Sequence, residues 1–364
     1  MALSRWQKSI EHYWYSRPGP LWVFYPLEWL FTFVSNIKRK QDSARQLDIP
    51  VPVMVVGNIS VGGTGKTPTL ICLLKFLVEK GMKPGVVSRG FGRESDTPLL
   101  VKEGCKSTQA GEEPILIFQE TGCPVSVHSD RQFAAKYLLK ECPECDVILA
   151  DDGLQHYKLK RDFELALVDG TRLFGNQHLL PLGPLREKPE RLNAVDWIVL
   201  NKRLSNNNVE SKVAETTLNE LLGDTASISV AHLQNNAVRH IQNGHEVTLE
   251  SFRKELTSKK LNALAAIGNP TSFFDGLAVL FENLEQHSYP DHYYWRADEL
   301  QIFSGNYLLC TSKDAIKISE LLAVHPELDA SHWYSLQAEL VLQDQLKESI
   351  YAALLALKNK GTTS

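Results

Sequence analysis

The chain has 364 residues, of which 43% are hydrophobic and 23% charged, with a formal net charge of −4. This composition excludes a disordered or fibrous protein, and the length is ample for two cored domains. The acidic balance excludes nucleic-acid binding through bulk electrostatics, so any anionic ligand must meet a local basic cluster.

In chain order, the first feature is the run Leu21 to Ile37, rich in Leu, Trp, Phe, Tyr and Val. It is shorter than the ~20 apolar residues a bilayer span needs, and it contains Pro26 and Glu28. Glu28, Thr32 and Ser35 recur at i, i+4, i+7, one thin polar stripe on an apolar helix. Lys38-Arg39-Lys40 follows at once, and Trp6, Trp14, Trp22 and Trp29 add rings suited to a headgroup region. Residues 1–45 therefore read as a helical segment lying in, or dipping into, an anionic membrane face, with the globular part on the cytoplasmic side. The alternative is a helix packed onto the domain.

Residues 46–225 alternate short apolar runs with helical patterns, the signature of an α/β domain with a mostly parallel sheet. Strands are predicted at Val53–Val56, Gly85–Ser88, Val125–Val127, Val147–Ala150, Leu165–Val168 and Trp197–Leu200, and helices from about Thr67, Glu112 and Asp130. Ser205-Asn206-Asn207-Asn208 reads as a loop. Residues 226–250 alternate around Gln242-Asn243-Gly244, a two-stranded linker. Residues 251–364 read as a smaller α/β domain: strand Ala263–Ile267, a turn at Gly268-Asn269-Pro270, helix Phe273–Phe281, strand Tyr307–Cys310 and an amphipathic helix near Leu336–Leu357. The six cysteines make no disulfide framework. Cys142-Pro143-Glu144-Cys145 lacks a second pair at zinc-site spacing and reads as incidental thiols.

Chemistry concentrates where strands end. Ser60-Val61-Gly62-Gly63-Thr64-Gly65-Lys66-Thr67 follows the first strand and opens a helix. That is the context of a phosphate-binding loop: backbone N–H groups converge on phosphate oxygens, Lys66 reaches the outer phosphates, and the Thr67 hydroxyl ligates Mg²⁺. Ser60 stands where the usual pattern has its first glycine. Asp151 and Asp152 end the strand at Val147–Ala150, where such enzymes hold Mg²⁺; capping is the alternative for one of them. Ser88-Arg89-Gly90-Phe91-Gly92-Arg93 leaves the second strand at the same edge, and its guanidinium groups suit phosphate or simply a solvated turn. Glu112 and Glu113 open a helix and suit its dipole, which by residues alone favours capping over catalysis. His292 follows Asp291, a pairing that can shuttle protons. Arg186-Glu187 sits in a proline-fixed loop, facing a ligand or pairing internally. Asn201-Lys202-Arg203-Leu204 resembles a guanine-reading motif but has Leu204 where an Asp is needed, which weighs against a GTPase.

Together these segments resemble one family, tetraacyldisaccharide 4′-kinase, the lipid A 4′-kinase. The resemblance rests on Val56-Gly57-Asn58-Ile59-Ser60 through Pro68, Ser88-Arg89-Gly90-Phe91-Gly92, Asp151-Asp152-Gly153-Leu154-Gln155-His156 and Phe174-Gly175-Asn176. It continues through Pro181-Leu182-Gly183-Pro184-Leu185-Arg186-Glu187, Gly268-Asn269-Pro270, Asp291-His292 and Thr311-Ser312-Lys313-Asp314-Ala315-Ile316-Lys317. In this family a serine opens the loop, so Ser60 is in pattern. The resemblance implies transfer of the ATP γ-phosphate to the 4′-hydroxyl of a tetraacyl glucosamine disaccharide 1-phosphate. It also implies Mg²⁺, the cytoplasmic face of the inner membrane, and a phosphate-loop kinase domain with a second, smaller α/β domain. It implies an acid–His pair as base, falling on Glu112 and His292. The family has Asp where Glu112 stands, and the added methylene requires a different rotamer; Glu113, Asp152 or His292 alone are the other takers. Lys66, with Thr67 and Asp151 or Asp152 on the metal, completes the reacting end. Arg131 and Arg186 are weaker candidates for phosphate or acceptor contacts, Glu187 for metal or acceptor contact, and Arg89 for substrate binding. The rivals are a P-loop ATPase or GTPase serving a protein partner, and a membrane scaffold that binds nucleotide structurally.

Overall fold

The apolar runs become strands buried on both faces, as parallel sheets flanked by helices require. The computed structural model describes residues 10, 13–15, 23–202, 208–222, 228–257 and 259–361. In the first half the strands are β1 (Val53–Gly57), β2 (Pro84–Ser88), β3 (Leu99–Leu100), β4 (Val125–Val127), β5 (Val147–Asp151), β6 (Phe163–Asp169) and β7 (Trp197–Lys202). In the second they are β8 (Ile228–His240), β9 (Glu246–Thr248), β10 (Leu261–Ala265), β11 (Leu284–Ser288), β12 (Tyr307–Thr311) and β13 (Trp333–Val341). The main helices are α1 (Tyr25–Ser43), α2 (Lys66–Glu79), α3 (Glu112–Thr121), α4 (Arg131–Glu141), α5 (Asn208–Leu222), α6 (Leu249–Glu255), α7 (Pro270–Ala278), α8 (Ser312–Leu322) and α9 (Asp344–Gly361).

Among the described residues these strands join one sheet, in the order β11-β10-β12-β13-β8-β7-β6-β1-β5-β2-β4-β3, with β9 paired to β8. Pairing is parallel except for β3–β4, β8–β9 and β8–β13. The long β8 is shared, running parallel to β7 and antiparallel to β13, so the sheet passes without a break from one half to the other. The predicted hairpin at 242–244 is the β8–β9 turn. The predicted loop at 205–207 lies outside the described residues, and Asn208 opens α5.

The helix predicted near Leu336–Leu357 is corrected. Residues 333–341 are strand β13, and the helix begins only at Asp344. Strand pairing with β8, about a hundred residues upstream, decides the conformation there. The helix then leaves the second half: Leu346, Ile350 and Leu354 of α9 join Leu70, Leu73, Leu74 and Leu77 of α2 in one buried cluster.

α1 has no buried residue; Trp29 is 72% exposed, and Leu30, Phe33 and Val34 are exposed beside it. Its polar stripe points inward. Glu28 accepts the Leu179 N–H at 2.7 Å and lies 3.2 Å from His178 Nδ1. Phe31 packs against the adjacent core. The predicted polar stripe is the docking seam, and the apolar side faces out. No helix among the described residues is long and apolar enough to cross a membrane.

Candidate active site

The site forms at the carboxyl edge of the sheet, the usual ligand edge of open α/β folds. β1 feeds residues 60–65, which turn on Gly62 (φ 109°) and Gly65 (φ 89°), left-handed values that suit glycine. The loop is stitched from several directions. Val61 N–H donates to Pro184 O at 2.8 Å, Arg186 N–H to Ile59 O at 2.7 Å, and Ser60 bridges Leu185. Buried Asn58 donates to Thr64 Oγ1 at 3.0 Å, and buried Asn201 donates to Thr64 O at 2.9 Å. Asn201 of the guanine-like motif thus braces the loop. α2 starts at Lys66 with no side chain capping its first turn, which leaves N–H groups for an anion. Thr67 is buried at this helix start, and Gly63 and Thr64 line the open cleft.

Lys66 Nζ lies 3.4 Å from Asn58 Oδ1 and 3.7 Å from Asp152 Oδ1. Asp151 is buried at the end of β5 and accepts from Ser88 Oγ at 3.1 Å. Asp152, next along, has φ 45°, a strained value for a non-glycine residue. Both Asp152 oxygens are 3.1 Å from Arg186 Nη1. Burial, then the charges of Glu113 and Asp152, push the Asp151 carboxyl up to about 7. Burial also opposes ionisation of Asp152, but Lys66 and Arg186 outweigh it and hold that carboxyl below its ordinary value. Such a pair fits a divalent cation, which relieves the repulsion.

Glu187 also lines the cleft, with its carboxylate engaged: it accepts from Gln155 Nε2 at 2.8 Å and from Tyr157 OH, and lies 3.6 Å from Arg191 Nε. Arg131 is buried against the Asp151 carbonyl at 3.3 Å, and its Nε and Nη1 have no hydrogen-bond partner. Burial lowers its pKa to about 10 and drives nearby His156 down to about 3. Arg89 lines the cleft, whereas Arg93 is spent on Val127 O and Thr97 O.

The opposite wall carries His292, also left-handed at φ 60° and anchored by its N–H to Ala266 O at 3.2 Å. Its Nδ1 lies 3.4 Å from Glu112 Oε1, and its Nε2 lies 3.7 Å from Asp291 Oδ1. The bond to Glu112 raises the His292 pKa despite burial. Burial resists ionisation of Glu112, but His292 and Lys317 hold its carboxyl below the usual range. Phe91 packs on the imidazole at 4.7 Å between ring centroids. The turn that brings Phe91 there depends on Gly90 and Gly111, both left-handed and in backbone contact. The capping expected of Glu112 and Glu113 is corrected: their carboxylates are engaged by His292 and by Lys317 and Lys313 of α8. Glu112 Oε1 is within reach of His292.

The two walls enclose an open cleft of about 3590 Å³, which runs from Thr32, Ser35 and Arg39 of α1, past the loop, to Asn269 and His292. Lys66, Arg89, Arg131, Asp151, Asp152, Arg186 and His292 all line it, while Glu112 lies behind His292. Sequence reasoning missed Asn58, Tyr157, Arg191 and Lys317 as site supports. Asn58 and Lys317 stand inside motifs already singled out, which was the available signal.

A strand, a glycine-rich loop and a Lys-Thr helix start, facing paired acids at the next strand end, define an α/β protein of the phosphate-loop class. The profile of the family tetraacyldisaccharide-1-P 4′-kinase (LpxK) matches residues 20–355, and the chain belongs to that family. It is 36% identical to the tetraacyldisaccharide 4′-kinase of Methylobacillus flagellatus over 362 residues, 99% of this chain and 98% of that one. It is 42% identical to that of Ectopseudomonas mendocina over 325 residues, 88% and 89% of the two chains. A crystal structure of LpxK from Aquifex aeolicus in complex with ATP superposes with a TM-score of 0.72 at 25% identity, covering 92% of this chain and 99% of that chain.

Proposed function

We propose that this chain transfers the γ-phosphate of ATP to the 4′-hydroxyl of a tetraacyl glucosamine disaccharide 1-phosphate, a step of lipid A biosynthesis. The observation that carries this reading is the convergence of Lys66 and the His292–Glu112 pair on opposite walls of one cleft. The N–H groups of residues 60–67 and Lys66 hold the nucleotide phosphates and offset charge developing on the transferred group. Thr67, Asp151 and Asp152 are the residues to hold Mg²⁺. Held there, Mg²⁺ would supply positive charge against the phosphates. Asp152 in turn is held by Arg186. His292 donates from Nδ1 to Glu112, and Nε2 takes the proton of the attacking hydroxyl. Arg131, with buried N–H groups unspent, and Arg89 beside it are the contacts for an anionic group of the acceptor. Arg186 and Glu187 serve indirectly, as holders of Asp152 and Gln155.

The outward side of α1 supports a location at the cytoplasmic face of the inner membrane, with Trp29, Leu30, Phe33 and Val34 among the headgroups and Lys40 in the last turn against anionic lipid. Because α1 also lines the cleft, an acceptor in the lipid would enter at that end. On this reading residues 1–45 are the membrane-associated segment, 46–225 the kinase domain, 226–250 the linker and 251–364 the smaller domain.

The test is transfer of radiolabelled γ-phosphate from ATP or GTP to purified acylated disaccharide 1-phosphate. Labelled acceptor from ATP is expected. Nucleotide hydrolysis indifferent to the acceptor would favour an ATPase or GTPase instead.

A further inference from the structure

Three side chains of α8 reach from the second half of the sheet to the first. Lys313 pairs with Glu113, Lys317 Nζ lies 2.9 Å from Glu112 Oε1, and Glu320 accepts the N–H and hydroxyl of Ser107 at 2.5 and 2.8 Å. Their i, i+4, i+7 spacing sets them on one helix face. Lys317 differs from the others in depth. Its side chain is 2% exposed and that of Glu112 is 5% exposed. Its ammonium sits 5.2 Å from both the Tyr294 and Trp295 ring centroids. It does not line the cleft and so touches no substrate. A buried ion pair is a poor source of net stability, because desolvation cancels most of the attraction.

We propose that Lys317 is a positioning residue for phosphoryl transfer, fixing the Glu112 carboxylate against His292 across the junction of the two halves. The inference rests on the reading that the Glu112–His292 pair serves the acceptor hydroxyl. Lys317 and His292 address the same oxygen, Oε1, at 2.9 and 3.4 Å. The terminal torsion of a glutamate is broad and leaves its oxygens free to swing. A glutamate carboxylate stands at the end of several rotatable bonds, so this side chain needs a clamp at its far end. The other groups at His292 are Asp291 on its own loop, the Lys313 charge from α8 and the Phe91 ring. None of them contacts Glu112 Oε1. Asp314, between the two lysines, accepts the Ala266 N–H at 3.1 Å, and Ala266 O receives His292 N–H. The same helix thus fixes both the backbone of the histidine and the acid that orients its ring.

The experiment is a double-mutant cycle on the full-length protein, reading kcat and the KM for ATP. Lys317→Met is expected to lower kcat about 10- to 100-fold with KM for ATP within about 2-fold, the pattern of a misplaced reacting group. In a Glu112→Gln background the same change should cost less than about 2-fold, because the clamped oxygen has already lost its role. Lys317→Arg should retain more activity than Lys317→Met, since it keeps the charge in altered geometry. Equal losses in both backgrounds would overturn the proposal, as would an unchanged kcat in Lys317→Met beside a depressed one in Glu112→Gln. Full kcat in Glu112→Gln itself would instead remove the pair from the reaction. Should Lys317→Met not fold, Lys317→Arg in the two backgrounds makes the same comparison.

Discussion

The two walls of the cleft are built by different means. The loop wall is made of backbone: left-handed glycines, an uncapped helix start, and N–H groups tied to Pro184 and Ile59 carbonyls. Its centre is the single run from Ser60 to Thr67, braced by Pro184 and Asn201 from farther along the chain. The His292 wall is made of charged side chains that meet across long separations: Glu112 with His292, Glu112 with Lys317, Glu113 with Lys313. A backbone cradle tolerates loss of a side chain without losing shape. A wall of interlocked charges does not, because removing one member strands another out of water.

That contrast can be broken or sharpened by substitution. The largest effect is expected for Lys66→Ala, a loss of transfer of about 10³-fold with an unchanged circular dichroism spectrum, since the loop geometry does not depend on the side chain. Asp151→Asn and Asp152→Asn should each cost about 10²-fold or more and shift the Mg²⁺ titration of activity to higher concentration. If nucleotide turnover persists with its Mg²⁺ dependence intact, the acids belong to the fold alone. His292→Ala should lower kcat about 10²-fold, with the KM for ATP nearly constant. A sharper probe of the same wall is pH. Glu112 raises the His292 pKa, and the neutral imidazole is the active form, so activity falls as pH drops through that raised value. Glu112→Gln removes the stabilising charge, lowers the His292 pKa and should move the acid limb to lower pH; a limb that stays in place assigns it to another group. The smallest catalytic effect belongs to α1. Trp29→Ser with Phe33→Ser should weaken partition into anionic vesicles by about 10-fold, while transfer to detergent-dispersed acceptor stays within about 2-fold. Unaltered partition would mean that the exposed apolar side meets no lipid.

Legibility in the sequence follows the same division. β1, β5 and the loop between Ser60 and Thr67 were readable because short apolar runs, glycines and a Lys-Thr helix start are local signals. Asp151 and Asp152 were readable from their place at a strand end. The inward turn of Glu28 was not, because it depends on a Leu179 N–H distant in sequence. β13 was mistaken for helix because its antiparallel neighbour β8 lies far upstream. Glu112 looked like a capping acid for the same reason: its histidine and lysine are remote in the chain. Periodicity reports which face is apolar, and it is silent about which charge meets which.

The placement of α9 has a consequence for synthesis on the ribosome. Leu346, Ile350 and Leu354 cover α2, Trp197 Nε1 donates to Ser349 Oγ at 3.2 Å, and Lys358 reaches Asp146 at 2.6 Å. The helix behind the phosphate loop therefore lacks part of its cover, around Phe76 and Lys80, until α9 has left the ribosome and docked. Nascent chains halted at about residue 340 should be cut by protease within the nucleotide half, and those released beyond 361 should resist.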